Sequence, residues 1–232
     1  MFMAHRRKKK GIPKILISLL LIAIIALAIT AATYVVVNMY NSQKPRGLHV
    51  GDVFTYNMTA SSYLITQDAV TPAYLVQYNM TDYYQVSITS VKGDTIGFNT
   101  LWQFNNGTAV TDSESINLDT GVSTGGFWAI YLPGLNEGAL LNPQANNGLI
   151  VNSTSTQTYA TSTRTTNNWS TQNILTNAND PTGSTQQDNF WTVNFDEATG
   201  MLTSLTNVQE YNNPGLNIAI VWQLTNSTVW QV

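Results

Sequence analysis

Between Ile15 and Val37 the chain runs for 23 residues without a charge, ILISLLLIAIIALAITAATYVVV, preceded by Arg6-Arg7-Lys8-Lys9-Lys10 and Lys14. As an α-helix rising about 1.5 Å per residue it reaches about 35 Å, enough to cross a hydrocarbon core of about 30 Å. The sequence therefore predicts one transmembrane helix bounded by Ile15 and Val37, with the rest of the chain sorted to one side of a membrane. A cleaved secretory signal would have a shorter apolar region followed by a small-x-small site. Ala26-Leu27-Ala28 lies instead in the middle of the run.

Charge gives the orientation. Residues 1–46 hold eight Lys and Arg and no acid, whereas residues 47–232 hold only Lys92 and Arg164 against all 13 acids. Six of those eight cations precede the apolar run, which holds the N-terminus in the cytoplasm under the positive-inside bias. The predicted organisation is a basic cytoplasmic segment over 1–14, the membrane helix over 15–37, a linker over 38–48 and an exterior domain over 49–232. Membrane lipid is the partner of the helix, and envelope or filament proteins are the candidates for the exterior domain. Its acidity excludes nucleic acid, which needs a basic surface.

A second reading of the N-terminus treats it as a pilin-type leader cut after Gly11, because Lys10-Gly11-Ile12 precedes a long apolar helix. That would place Pro13 and Lys14 in a filament core without water for the ammonium.

Cysteine is absent, so disulfides, thiolate catalysis and Cys-based zinc sites are ruled out together. No cofactor signature is found, and the chain has no Gly-Lys dipeptide of the phosphate-cradling kind. All six Trp lie beyond residue 47, so the exterior part has its own apolar content. Six N-glycosylation sequons occur, at Asn57, Asn79, Asn106, Asn152, Asn168 and Asn226. In a chain so rich in Asn and Thr the count carries little, and placement decides. Asn106 sits in the turn Asn105-Asn106-Gly107, and Asn57 and Asn79 fall on the polar phase of predicted strands.

Period-two alternation marks the strands. Phe54, Tyr56 and Met58 alternate with Thr55 and Asn57 after a turn at His49-Val50-Gly51-Asp52, and Tyr74, Val76, Tyr78 and Met80 repeat the pattern. Tyr84, Val86 and Ile88 lead through Lys92-Gly93-Asp94 into Ile96, Phe98, Trp102 and Phe104, a hairpin whose second strand ends at Asn105-Asn106-Gly107. Further strands are predicted over Asp112–Leu118 and Phe127–Tyr131, then a connection over Leu135–Gly148 with one short turn of helix. Residues 152–187 contain 26 Ser, Thr, Asn or Gln among 36, read as two polar strands with a loop at Asn179–Gly183 rather than a disordered stalk, because Thr is β-branched. Strands through Trp191–Phe195, up to Val208 and over Leu216–Leu224 close the chain. Asn226 continues the apolar phase of the last strand, so a glycan there needs a bulge or the strand's end. The fold class is all-β and antiparallel, a meander that curls into a barrel-like sheet, with a β-sandwich as the alternative.

The run from Val50-Gly51-Asp52 through Tyr84–Asp94, Asn106-Gly-Thr108 and Asp119-Thr-Gly121 to Phe195–Leu202 and Trp222–Trp230 resembles a group of archaeal membrane-anchored surface proteins. The resemblance implies a cell-surface location. The group has no assigned activity, so no functional residue is carried over.

The candidate chemistry is sparse. Asp196-Glu197 is the one acid pair suited to glycoside hydrolysis, but adjacent residues at a strand end point to opposite faces and lead into a Gly turn, so a solvated hairpin turn is the preferred reading. Asp112, Glu114, Asn117 and Asp119 lack the Gly-centred spacing of a calcium loop, His49 has no partner at a recognisable spacing, and Thr124-Gly125-Gly126 reads as a bend. The aromatic phase containing Trp102, Trp191 and Trp222 is expected to form the core. If the sheet closes only partly, the same three side chains would line a cleft for an apolar or sugar ligand. The expectation is therefore a non-enzymatic, glycosylated surface protein with a structural or binding role, its sequons at Asn57, Asn79 and Asn106 occupied, with a filament subunit and a surface carbohydrate hydrolase as alternatives.

Overall fold

The computed structural model describes residues 47–159, 161–176 and 186–230. The predicted membrane span Ile15–Val37, the cut site at Gly11 and the loop Asn179–Gly183 lie outside the described residues. Among the described residues no helix is long and apolar enough to cross a membrane.

One antiparallel sheet organises the domain. Its strands are β1 (Val53–Leu64), β2 (Thr81–Lys92), β3 (Thr95–Phe104), β4 (Ala109–Asn117), β5 (Ser153–Tyr159), β6 (Ser162–Thr176), β7 (Gln186–Asp196), β8 (Leu202–Asn212) and β9 (Gly215–Ser227), with a short helix α1 (Tyr74–Asn79) between β1 and β2. They lie side by side as β4-β3-β2-β1-β9-β8-β7-β6-β5, so β1 and β9 meet at the centre and β4 and β5 form the two edges. Every sequence-adjacent pair but one is a hairpin neighbour. The exception is β4 to β5, whose connection over residues 118–152 returns across one face of the sheet. The continuous sheet excludes the sandwich, and the separate edges exclude a closed barrel.

That returning segment explains how a single sheet buries a core. Phe127 packs on Tyr56, Tyr84, Phe98 and Trp222, which lie on β1, β2, β3 and β9. Four residues later, Tyr131 packs on Trp169 and Phe195 of β6 and β7. One short segment reaching from β3 to β6 requires the sheet to curl around it. Of the in-phase residues predicted from alternation, Phe54, Tyr56, Val86, Phe98 and Phe195 face this filled concavity. At the far end α1 and Ala69 cover Ala60, Ile218 and Leu216 on the same face.

The Phe127–Tyr131 prediction needs correcting. This segment makes only the single bridge Ile130↔Met201, and no ladder. Phe127, Ala129, Ile130 and Tyr131 are all buried, because the backbone runs inside the curl and not along it. A strand on the sheet would bury every second residue. Gly200, at φ +74°, permits the crossing: its carbonyl accepts from Tyr131 N–H at 2.9 Å, and a Cβ on it would stand 1.9 Å from the Tyr131 carbonyl oxygen.

Two other expectations change. Tyr74–Asn79, expected as a strand, is helical, with Pro72 starting the turn and its carbonyl accepting from Leu75 N–H at 3.1 Å. The buried residue is Leu75 while Val76 is exposed, and the Tyr74/Tyr78 spacing that looked like alternation is also the i, i+4 spacing of a helix. No helical turn forms within Leu135–Gly148, where Gly138, Asn146 and Gly148 take positive φ. The two polar strands expected in the Thr-rich region are β5 and β6, which pair antiparallel with each other, and the loop expected at Asn179–Gly183 falls between the end of β6 and the start of β7, outside the described residues.

The predicted turns at Gly51, Gly93 and Gly107 all hold, each glycine at positive φ. Asn226 illustrates the anticipated exception. Register shifts between Thr55↔Asn226 and Tyr56↔Leu224, so Thr225 is the extra residue of a bulge, and Asn226 is turned out to solvent.

Candidate functional site

Among the described residues the filled concavity leaves an aromatic pocket. It lies between α1, residues 126–129 and strands β7 to β9, and Tyr78, Phe127, Trp128, Trp191, Asn207 and Trp222 line it around a volume of about 130 Å³. Trp128 meets Trp191 edge to face at 5.5 Å, and Trp222 meets Tyr84 at 4.9 Å, so the rings brace one another in the T-shaped geometry their quadrupoles prefer. Trp191 and Trp222 reach the pocket by strand alternation, in phase with Phe195 and Leu224. Both are half-buried, so neither the sealed core nor the fully open cleft describes them.

Trp102 does not line the pocket. It stands against Tyr78 at 5.7 Å and Phe104 at 5.0 Å, with its indole N–H donating to Thr81 Oγ1 at 2.8 Å. The sequence thus named two of the three tryptophans and missed Trp128, Tyr78 and Asn207. Trp128 and Tyr78 were hidden by strand readings of segments that are not strands. Asn207 follows Leu205 in phase, and the polar continuation Asn207, Gln209, Tyr211 was the available signal.

These three side chains form a row. Tyr211 O–H donates to Gln209 Oε1 at 2.9 Å, Gln209 Nε2 donates to Asn207 Oδ1 at 2.6 Å, and Asn207 Nδ2 donates to Asn189 Oδ1 and to the Phe190 carbonyl at 3.1 Å. Asn207 is 1 % exposed, and both ends of its amide are satisfied within the protein. The pocket floor is therefore a fixed dipole flanked by aromatic faces, which suits a small ring over a charged ligand.

The acid candidates have structural partners. The expected hairpin turn forms between β7 and β8, with Gly200 N–H donating to the Asp196 carbonyl at 2.8 Å, but Asp196 is 1 % exposed and not solvated. Its Oδ2 accepts from Arg164 Nε and from Tyr159 O–H, both at 2.5 Å, and its Oδ1 accepts from Arg164 Nη2 at 3.1 Å and from Thr199 N–H and Oγ1 at 2.9 and 2.8 Å. Hydrogen bonding to this carboxylate raises the Arg164 pKa, and burial, followed by the Asp196 bond, raises that of Tyr159. Glu114 is turned into the concavity, accepting from Phe127 N–H at 2.9 Å, and Asn117 caps the Thr120 turn. Among the described residues no three His, Cys, Asp or Glu come together as a metal site. His49 is exposed at the domain edge, its N–H donating to Asp52 Oδ2 at 2.6 Å.

Five sequon asparagines, Asn57, Asn79, Asn106, Asn152 and Asn226, are exposed. Asn168 is half-buried on β6, with Nδ2 donating to Asn194 Oδ1 at 2.9 Å.

Four buried phenols are expected to make the domain sensitive to alkali. Burial is the leading cause for each, raising Tyr56, Tyr131 and Tyr159 and pushing Tyr84 up from 10.0 to about 12. Between those values the unfolded chain has released its Tyr84 proton while the folded one retains it, so stability is intact below about pH 10 and falls as pH rises to 12. Tyr84 alone is expected to cost about 2–3 kcal/mol by the top of that range. Denaturation midpoints across pH 9–12 check this, and Tyr84→Phe should flatten the fall.

No protein-family model matches this chain, and no curated protein matches it either.

Proposed function

We propose that this is a membrane-anchored cell-surface protein whose exterior β domain binds a small ring compound in the Trp128–Trp191–Trp222 pocket. The observation that carries the binding role is the pocket itself: aromatic faces on several sides, a satisfied amide at the floor and about 130 Å³ of space. A dry cavity of about 150 Å³ holds benzene, so the volume fits one six-membered ring rather than a chain or a nucleotide. Sugars and aromatic rings share the flat face that stacks on tryptophan, and both belong to this class. The exterior location is supported by the uncharged run Ile15–Val37 and by the charge asymmetry on its two sides.

Titrating the protein with monosaccharides and with indole or phenol, followed by tryptophan fluorescence, tests the pocket. Trp191→Ala is expected to weaken the binding ligand at least tenfold, while Trp102→Ala, outside the pocket, leaves affinity within about twofold. Equal losses in both variants would count against the site. Protease treatment of intact cells tests location separately: the β domain should be removed and the basic N-terminus protected.

A further inference from the structure

An open sheet has two edges, and this one defends them unequally. The C-terminal half of β4 is covered, since Asn117 N–H donates to the Val122 carbonyl at 3.0 Å and Ile116 bridges Ser123. Ala109–Ser113 at its other end is exposed. β5 is barer still. Its sequence is STSTQTY, all but Tyr159 are exposed, and among the described residues no strand pairs with its outer side. Natural edge strands are guarded by charges, Pro, bulges or a covering element. β5 has no charge and no Pro, pairs with β6 in unbroken register and is rich in β-branched Thr, a combination that invites another strand.

Each edge strand is preceded by a sequon. Asn106 lies in the turn before β4, and Asn152 immediately before β5. Both are exposed, and both are held through Oδ1 only. Asn106 accepts from Thr108 N–H and Oγ1 at 2.9 and 2.6 Å, and Asn152 accepts from Ser170 N–H at 2.6 Å. Nδ2, the atom that takes an N-linked sugar, makes no hydrogen bond among the described residues in either. Asn168 is the contrast, with Nδ2 committed to Asn194 in a half-buried ladder.

We propose that Asn106 and Asn152 carry N-linked glycans that block strand addition at the two sheet edges, and that Asn168 remains unmodified. In the transfer, the anomeric carbon of an activated glycosyl phosphate loses its C–O bond to phosphate and forms a C–N bond to Nδ2. The phosphate leaves with the electron pair and the amide proton is released. A bulky, solvated group at the start of each edge strand then supplies the guard that the β5 sequence lacks and adds to the Asp112 charge on the open half of β4.

This inference rests on the exterior location proposed above, and its test is separable from it. Full-length protein from its native membranes is analysed by peptide mass spectrometry, beside protease shaving of the same cells. Sugar on Asn106 and Asn152 with bare Asn168 is the expected pattern. An Asn106→Gln/Asn152→Gln protein in mild detergent should then shift from monomer to dimer and larger species. Thr108→Ser and Thr154→Ser, which keep both sequons, should stay monomeric, and an unchanged thermal midpoint in the Gln variant shows that it is folded. Bare Asn106 and Asn152 on a domain that is shaved from the cell overturn the inference while the location stands. So does a folded, sugar-free double variant that stays monomeric, or a glycan on Asn168. Bare edges in a native protein that is already dimeric also overturn it, and assign the edges to pairing between copies.

Discussion

Asp196→Ala is expected to lower the stability of the exterior domain by about 3–5 kcal/mol, the range found when one member of a buried ion pair is removed. The carboxylate accepts five hydrogen bonds, and its loss leaves Arg164, 26 % exposed, and the Tyr159 hydroxyl without their shared acceptor. The damage would spread, because the cluster joins four parts of the chain. Tyr159 belongs to β5, Arg164 to β6 and Asp196 to β7, while the Arg164 guanidinium lies 4.4 Å over the ring of Trp230, whose carbonyl accepts from Ser162 Oγ at 3.0 Å. Edge strand β5, which among the described residues pairs only with β6, is tied to the body here. In a domain of this size a loss of that order lowers the midpoint by roughly 6–20 °C. Urea unfolding measures it directly. Replacing both charges, Asp196→Leu with Arg164→Met, should cost less than the sum of the single changes, since no buried charge is then left alone. A single-variant loss under about 1 kcal/mol would mean that the cluster is solvated and does not hold β5.

Which parts of this were legible follows from what alternation encodes. Period two reports a strand with one buried face, and wherever a segment lay on the sheet, as at Phe54–Met58, Tyr84–Ile88 and Leu216–Leu224, it gave both the strand and the face. It also gave Trp191 and Trp222. Alternation carries no information about a segment that fills the inside of a curl, so Phe127–Tyr131 read as one more strand and Trp128 was missed. The i, i+2 and i, i+4 spacings coincide at Tyr74 and Tyr78, and only Pro72 separated helix from strand there. Asp196 lay beyond local reasoning for a different cause. Its partners Tyr159 and Arg164 are more than thirty residues away, and what buries the carboxylate is the β5–β6–β7 pairing, not its own neighbours in sequence.

Phe127→Ala is expected to combine the largest packing loss with a change at the pocket. The ring touches Tyr56, Tyr84, Phe98 and Trp222 at centroid distances of 5.8–6.1 Å, so removing it loses the burial of one aromatic side chain together with several tilted ring pairs. Buried Phe→Ala changes cost about 3–5 kcal/mol, the spread depending on how far the site collapses. Collapse is restricted here, because the backbone on either side is pinned. Phe127 N–H donates to Glu114 Oε2 at 2.9 Å, and Gly125 is packed so tightly on that carboxylate that a Cβ would lie 2.2 Å from its Cδ. At the other end Tyr131 N–H donates to the Gly200 carbonyl at 2.9 Å. The vacated volume therefore opens into the neighbouring pocket, of which Phe127 is a wall. Two consequences separate this outcome from general loosening. Far-UV circular dichroism should remain that of an all-β protein while the urea midpoint falls, and the ring compound that binds the native pocket should weaken at least tenfold as its stacking wall is lost. Phe127→Leu, which refills most of the space, should recover more than half of the stability but not the affinity. A Phe127→Ala protein with native affinity would show that the segment fills the core without shaping the pocket, and the binding reading would then rest on Trp128, Trp191 and Trp222 alone.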